Sequence, residues 1–127
     1  MTQSVRQEGR RPEQGAVLTK AVIRASERLD VPAKVLSTVL GLSEASISRM
    51  KHGDYILEPT TKPFELGVLF IRLFRSLDAI VGGDPNVTRA WLRNPNVVFG
   101  ASPIEKIQTI AGLMDVIAYL DARRALV

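Results

Sequence analysis

From Ala16 to Leu29 the apolar residues Leu18, Ala21, Val22, Ala25 and Leu29 return at helical spacing, with Arg24, Glu27 and Arg28 between them. That pattern predicts an amphipathic helix. Asp30 and Pro32 break it, and Pro32 suits the start of a second helix whose apolar face is Val35, Leu36, Val39 and Leu40. Gly41 ends this helix by accepting a left-handed backbone. Ser43 then serves as N-cap of a third, with Glu44 at the positive end of its dipole and Ala45, Ile47 and Met50 as apolar positions before Gly53. Residues 53–62 form a connector with Pro59 as breaker, and residues 1–15, polar and without periodicity, read as a flexible tail.

The second half is greasier. Pro63 to Val81 is apolar around most of its circumference, which predicts burial on more than one side and a subunit interface as well as a core. After the Gly82-Gly83 turn, Asp84-Pro85 starts a helix carrying Val87, Ala90, Trp91 and Leu92, which Asn94-Pro95-Asn96 ends. Ser102-Pro103-Ile104-Glu105 reads as a capping box ahead of Ile107 to Leu120, with Gly112 marking a kink or a joint between two helices. No strand alternation stands out. The expected fold is all-α, a helix-turn-helix module over residues 16–62 followed by a small helical module over 63–127.

Composition narrows the chemistry. The 127 residues include no cysteine, so disulfides and thiolate metal sites are excluded, and the one histidine cannot build a zinc site by itself. The N-terminus has no apolar signal region, and Glu65, Arg72, Arg75 and Asp78 interrupt the most apolar run, so a cytoplasmic protein without a membrane span is expected. No nucleophile constellation, acid–base pair or phosphate loop appears, so neither an enzyme nor a cofactor is expected. A net charge of +4 is compatible with nucleic acid or an acidic protein surface.

Leu40 to Gly53, LGLSEASISRMKHG, then gains a meaning. Ser37 is the small residue where two helices cross, Gly41 lies in the turn, and Leu42, Ile47 and Met50 are anchors. This order fits a helix-turn-helix position by position, with serine where alanine is usual. The outward face of the second helix would hold Ser43, Glu44, Ser46, Ser48, Arg49, Lys51 and His52. Arg49 suits a guanine edge and Glu44 a cytosine amine, while Lys51 and His52 suit phosphates. Arg6, Arg10 and Arg11 could add contacts as a basic arm, although a solvated tail is the simpler reading.

Ala90 to Ala122 resembles the toxin-binding domain of the MbcA/ParS/Xre antitoxin family, through Trp91-Leu92, Asn94-Pro95-Asn96, Phe99-Gly100, Ser102-Pro103-Ile104-Glu105 and Thr109 to Gly112. With the upstream helices the resemblance spans about residues 16–124. It implies a bacterial type II antitoxin that binds its own promoter and covers the active-site entrance of a cognate toxin, usually of the NAD-consuming RES class. The candidate toxin contacts are Trp91, Asp121, Arg123, Arg124, Leu126 and Val127. Trp91 is more simply a core residue that seats its short helix against the long one. The chain end would act as a plug, and deletion after Leu120 is expected to impair neutralisation but spare folding. A homodimer is expected, because paired reading helices match two half-sites. The competing possibility is a plain helix-turn-helix regulator whose C-terminal half only dimerises.

Overall fold

The structure, a computed structural model, describes the backbone of residues 2–125 and the side chains of residues 13–125. Among the described residues seven helices follow one another: α1 (Thr2–Arg28), α2 (Ala33–Leu40), α3 (Glu44–Lys51), α4 (Lys62–Val81), α5 (Pro85–Arg93), α6 (Pro103–Lys106) and α7 (Ile110–Arg124). The one β-type pairing among the described residues is an isolated bridge, Asn96 to Ala101. The fold is all-α, with the helix-turn-helix ahead of the helical C-terminal part.

The first helix starts far earlier than its apolar stripe. Residues 2–15, expected as a flexible tail, continue α1 toward the N-terminus. Helix geometry extends past the last apolar position because hydrogen bonding runs along the chain. Pro12, inside this unbroken stretch, has no N–H to donate. The side chains of Arg6, Arg10 and Arg11 lie outside the described residues. Gly15 is buried because the connector crosses it: a Cβ there would sit 2.4 Å from the Leu57 carbonyl oxygen. Thr19 fastens the same crossing. Its hydroxyl accepts from the Leu57 N–H at 2.9 Å and donates to the Gly15 carbonyl at 2.7 Å.

α4 is the central element and packs against α1, α2, α5 and α7. Phe70, Leu73 and Leu77 are its buried anchors, meeting Leu36 and Leu40 of α2 and Val116, Ile117 and Leu120 of α7 in one core. The apolar circumference that predicted a subunit interface is used within the chain only in part: Phe70, Leu73 and Leu77 are buried, whereas Phe64, Leu66, Leu69, Ile71 and Phe74 are half-buried and Val68 is exposed. On α7, Ile110 and Met114 stay exposed, at 66% and 41%.

The expected capping box at Ser102 does not form. The Ser102 side chain makes no cap hydrogen bond, and α6 is a single turn of 4 residues. The cap appears at Thr109 instead, whose hydroxyl accepts from the Gly112 N–H at 3.0 Å. The apolar stretch after Pro103 is thus two helices, with the joint just before Gly112, and Gly112 lies in the first turn of α7.

Candidate nucleic-acid and protein interfaces

α2 and α3 form the helix-turn-helix. Gly41 has φ +70°, and its N–H and that of Leu42 both reach the Ser37 carbonyl, so one left-handed residue closes α2 and redirects the chain. Ser37 is buried at the crossing, with its hydroxyl donating to the Lys34 carbonyl at 2.7 Å. Ser43 caps α3, accepting from the Ser46 N–H at 3.1 Å. Ile47 and Met50 bury the inner face of α3.

The outward face carries Ser43, Glu44, Ser48, Arg49, Lys51 and His52, all exposed. Ser46 does not belong with them. It is 7% exposed, and its hydroxyl lies 3.0 Å from that of Ser43 while accepting from Arg49 at 3.2 Å. It sits one position before Ile47, beside the buried face of α3, and its hydroxyl supports the cap. The Arg49 guanidinium also lies over the Tyr55 ring, 5.9 Å from its centroid. The ring of His52 approaches the Ser48 carbonyl at 2.8 Å through Nδ1. A carbonyl can only accept, so Nδ1 carries a proton in this contact.

In the second half three aromatic rings interlock. Trp91 stacks on Tyr119 at 6.3 Å and 18°, and Phe99 meets both edge-on, at 6.4 Å from Trp91 and 5.2 Å from Tyr119. The helix that Trp91 seats against through these rings is α7. Arg123 donates to the Tyr119 hydroxyl at 3.1 Å and spans the same ring.

Asp121, a candidate toxin contact, is engaged by α4 while its side chain stays 31% exposed. It accepts from Arg72 and, at 2.8 Å, from the Ser76 hydroxyl, both on α4. Partial burial opposes its charge, but the Ser76 hydroxyl, the Arg72 guanidinium and the more distant Arg124 outweigh it and hold the carboxyl below its usual range. Asp121→Asn should therefore cost about 1 kcal/mol at neutral pH, as for a partly exposed charge-assisted contact. A depressed folded pKa contributes stability above the unfolded value. The difference from wild type should thus vanish as pH falls below about 4, through Asp121's lower folded value. Urea titrations at several pH values check both statements.

A family model described as the antitoxin Xre-like helix-turn-helix domain matches residues 8–72, more than half of the chain. The chain belongs to the Xre/MbcA/ParS-type antitoxins. The model of the antitoxin Xre/MbcA/ParS C-terminal toxin-binding domain matches residues 76–125, so the two matches meet inside α4. No curated protein matches the chain. The antitoxin thus joins a DNA-binding domain to a toxin-binding one, and antitoxin regulators of this kind are generally non-enzymatic. Among the described residues no helix of the antitoxin is long and apolar enough to cross a membrane.

Of the candidate toxin contacts, Arg123 and Arg124 are exposed, Trp91 is half-buried in the aromatic cluster, and Asp121 is engaged with α4. Leu126 and Val127 lie outside the described residues. Helical periodicity gives no sign of how the antitoxin's two halves are joined. Arg89 of α5 donates to the carbonyls of Arg28 and Glu27 at 3.1 and 3.4 Å. Arg93 donates to the Leu29 carbonyl at 3.1 Å and to that of Asp30. The last turn of a helix leaves carbonyls without intrahelical partners and carries partial negative charge. Two guanidiniums from the toxin-binding half therefore cap the first helix of the DNA-binding half. No sequence signal marks these pairs, because their residues are more than sixty positions apart.

Proposed function

We propose that this antitoxin neutralises a co-encoded RES-class, NAD-consuming toxin in the cytoplasm, by placing its C-terminal end over the toxin's active-site entrance. As a homodimer it represses its own operon. DNA recognition is assigned to residues 16–62, through Ser43, Glu44, Ser48, Arg49, Lys51 and His52. Toxin binding and self-association are assigned to 63–127, with Arg123, Arg124, Leu126 and Val127 at the toxin. The observation that carries the reading is the pair of family matches, which covers both halves of one short chain. The exposed basic end of α7 supports the plug, since arginine forks suit carboxylates and polar groups in a cleft.

The test is co-expression with the product of the adjacent gene, followed by co-purification, a growth-rescue assay, and binding of the complex to its upstream DNA. NAD depletion by the neighbour alone, abolished by the antitoxin, is the expected result. Failure to bind that protein while DNA binding persists favours a plain regulator.

The engagement of Asp121 by α4 changes the truncation to use. Deletion after Leu120 removes the only described tie from α7 to Arg72 and Ser76 and should lower stability as well as neutralisation. Deletion after Ala122 keeps Asp121. It should leave the melting temperature within about 2 °C, since changes at an exposed end cost at most ~0.5 kcal/mol. It should nevertheless reduce growth rescue, and a fully protective Ala122 truncation would count against the plug.

A further inference from the structure

Between α1 and α4 runs a groove formed by two adjoining concavities of about 500 and 300 Å³, which share Leu18, Ile71 and Arg75. Its floor is aliphatic, and part of it faces water: Val17 is 68% exposed and Val68 47%. Its rim is basic, with Arg72, Arg75 and Arg124 against the single acid Glu13. Arg72 is paired with Asp121, whereas among the described residues Arg75 and Arg124 have no carboxylate within ion-pair distance.

We propose that this groove seats an acidic amphipathic helix of the toxin. The inference rests on the reading that the C-terminal half binds such a protein. An apolar strip edged by unpaired guanidiniums complements a helix whose apolar stripe is flanked by aspartates and glutamates. A second copy of this chain fits poorly, because a two-fold contact through the groove would set the same arginines near one another. Nucleic acid has no use for the valine and leucine floor, since its affinity comes from phosphate contacts. The groove is also continuous with the end of α7, because Arg124 lines it. A toxin engaged by the chain end therefore lies beside it.

Arg75→Glu and, separately, Val68→Gln on α4 test this in the full-length protein, with the purified product of the adjacent gene as probe. Both positions are exposed, and circular dichroism and binding to the upstream DNA report folding. Each variant should bind the probe at least tenfold more weakly than wild type, and Arg75→Glu should also show a flatter salt dependence. Self-association, read by sedimentation, should be unchanged. Wild-type affinity in both variants overturns the groove, and altered self-association with probe binding intact makes a second copy the occupant and overturns the toxin helix. If the wild-type chain itself does not bind the probe, the toxin reading fails and this inference with it.

Discussion

Replacing Gly112 with alanine should lower the melting temperature by roughly 10 °C, from a loss of about 3 kcal/mol typical of forced backbone contacts. Gly112 sits in the first turn of α7, where the chain doubles back on α6. A Cβ at this position would lie 1.9 Å from the Lys106 carbonyl oxygen, 2.8 Å from its carbonyl carbon and 2.9 Å from the Thr109 hydroxyl. None of these groups is the far end of a flexible side chain, so the α6–α7 joint itself would have to open. Opening it disturbs Ile107 and Leu113, both about 1% exposed. Gly82→Ala is the control. Gly82 has φ +66° and nothing within 4 Å of its missing Cβ. Its replacement should cost about 1 kcal/mol, the penalty of a left-handed backbone alone. Thermal melts of the two variants separate the effects, and equal losses would mean that the contact at Lys106 is not as close as described.

Arg49→Ala should weaken binding to the upstream DNA by roughly 10- to 100-fold, the equivalent of about 1–3 kcal/mol for one bidentate base contact. Arg49 is exposed on the outward face of α3 but not loose, because Ser46 and the Tyr55 ring hold its guanidinium. A restrained fork loses less side-chain entropy on reaching a base edge. Tyr55→Leu should therefore weaken DNA binding in the same direction and by less. Titrations at several salt concentrations distinguish the roles: loss of a base contact leaves the salt slope unchanged, whereas loss of a phosphate contact lowers it by about one. Toxin binding should be intact in Arg49→Ala. A change of less than threefold in DNA affinity would remove Arg49 from the reading set.

The parts of the fold legible in the sequence are those governed by neighbours along the chain. Ser43 and Asp84 are caps because a serine or aspartate oxygen reaches N–H groups two or three residues on. Gly41 and Gly82 end helices because both adopt a left-handed backbone. The outward face of α3 was legible apart from Ser46. The sequence shows that residue as polar, but its hydroxyl proves to be used within the cap. The capping box at Ser102 failed for a related reason. The motif is local, but the Glu105 N–H that the Ser102 hydroxyl would cap goes to the Ser102 carbonyl instead, at 3.1 Å.

Local pattern therefore determined the helical class, the helix-turn-helix and most of the helix ends, since 3.6-residue periodicity and capping act over a few residues. Tertiary structure alone decided which polar groups are spent inside the molecule. Asp121 and Arg72 are 49 positions apart, yet their meeting ties α7 to α4 through a residue that is also a candidate toxin contact. Arg89 and Arg93 look like ordinary surface charges until α5 lies against the end of α1. The apolar circumference of α4 looks uniform in the sequence, but the helices around it bury Phe70, Leu73 and Leu77 and leave Val68 facing water. Charge and apolar surface are properties of a residue, but whether they face water, a partner or the same chain depends on distances that only folding sets.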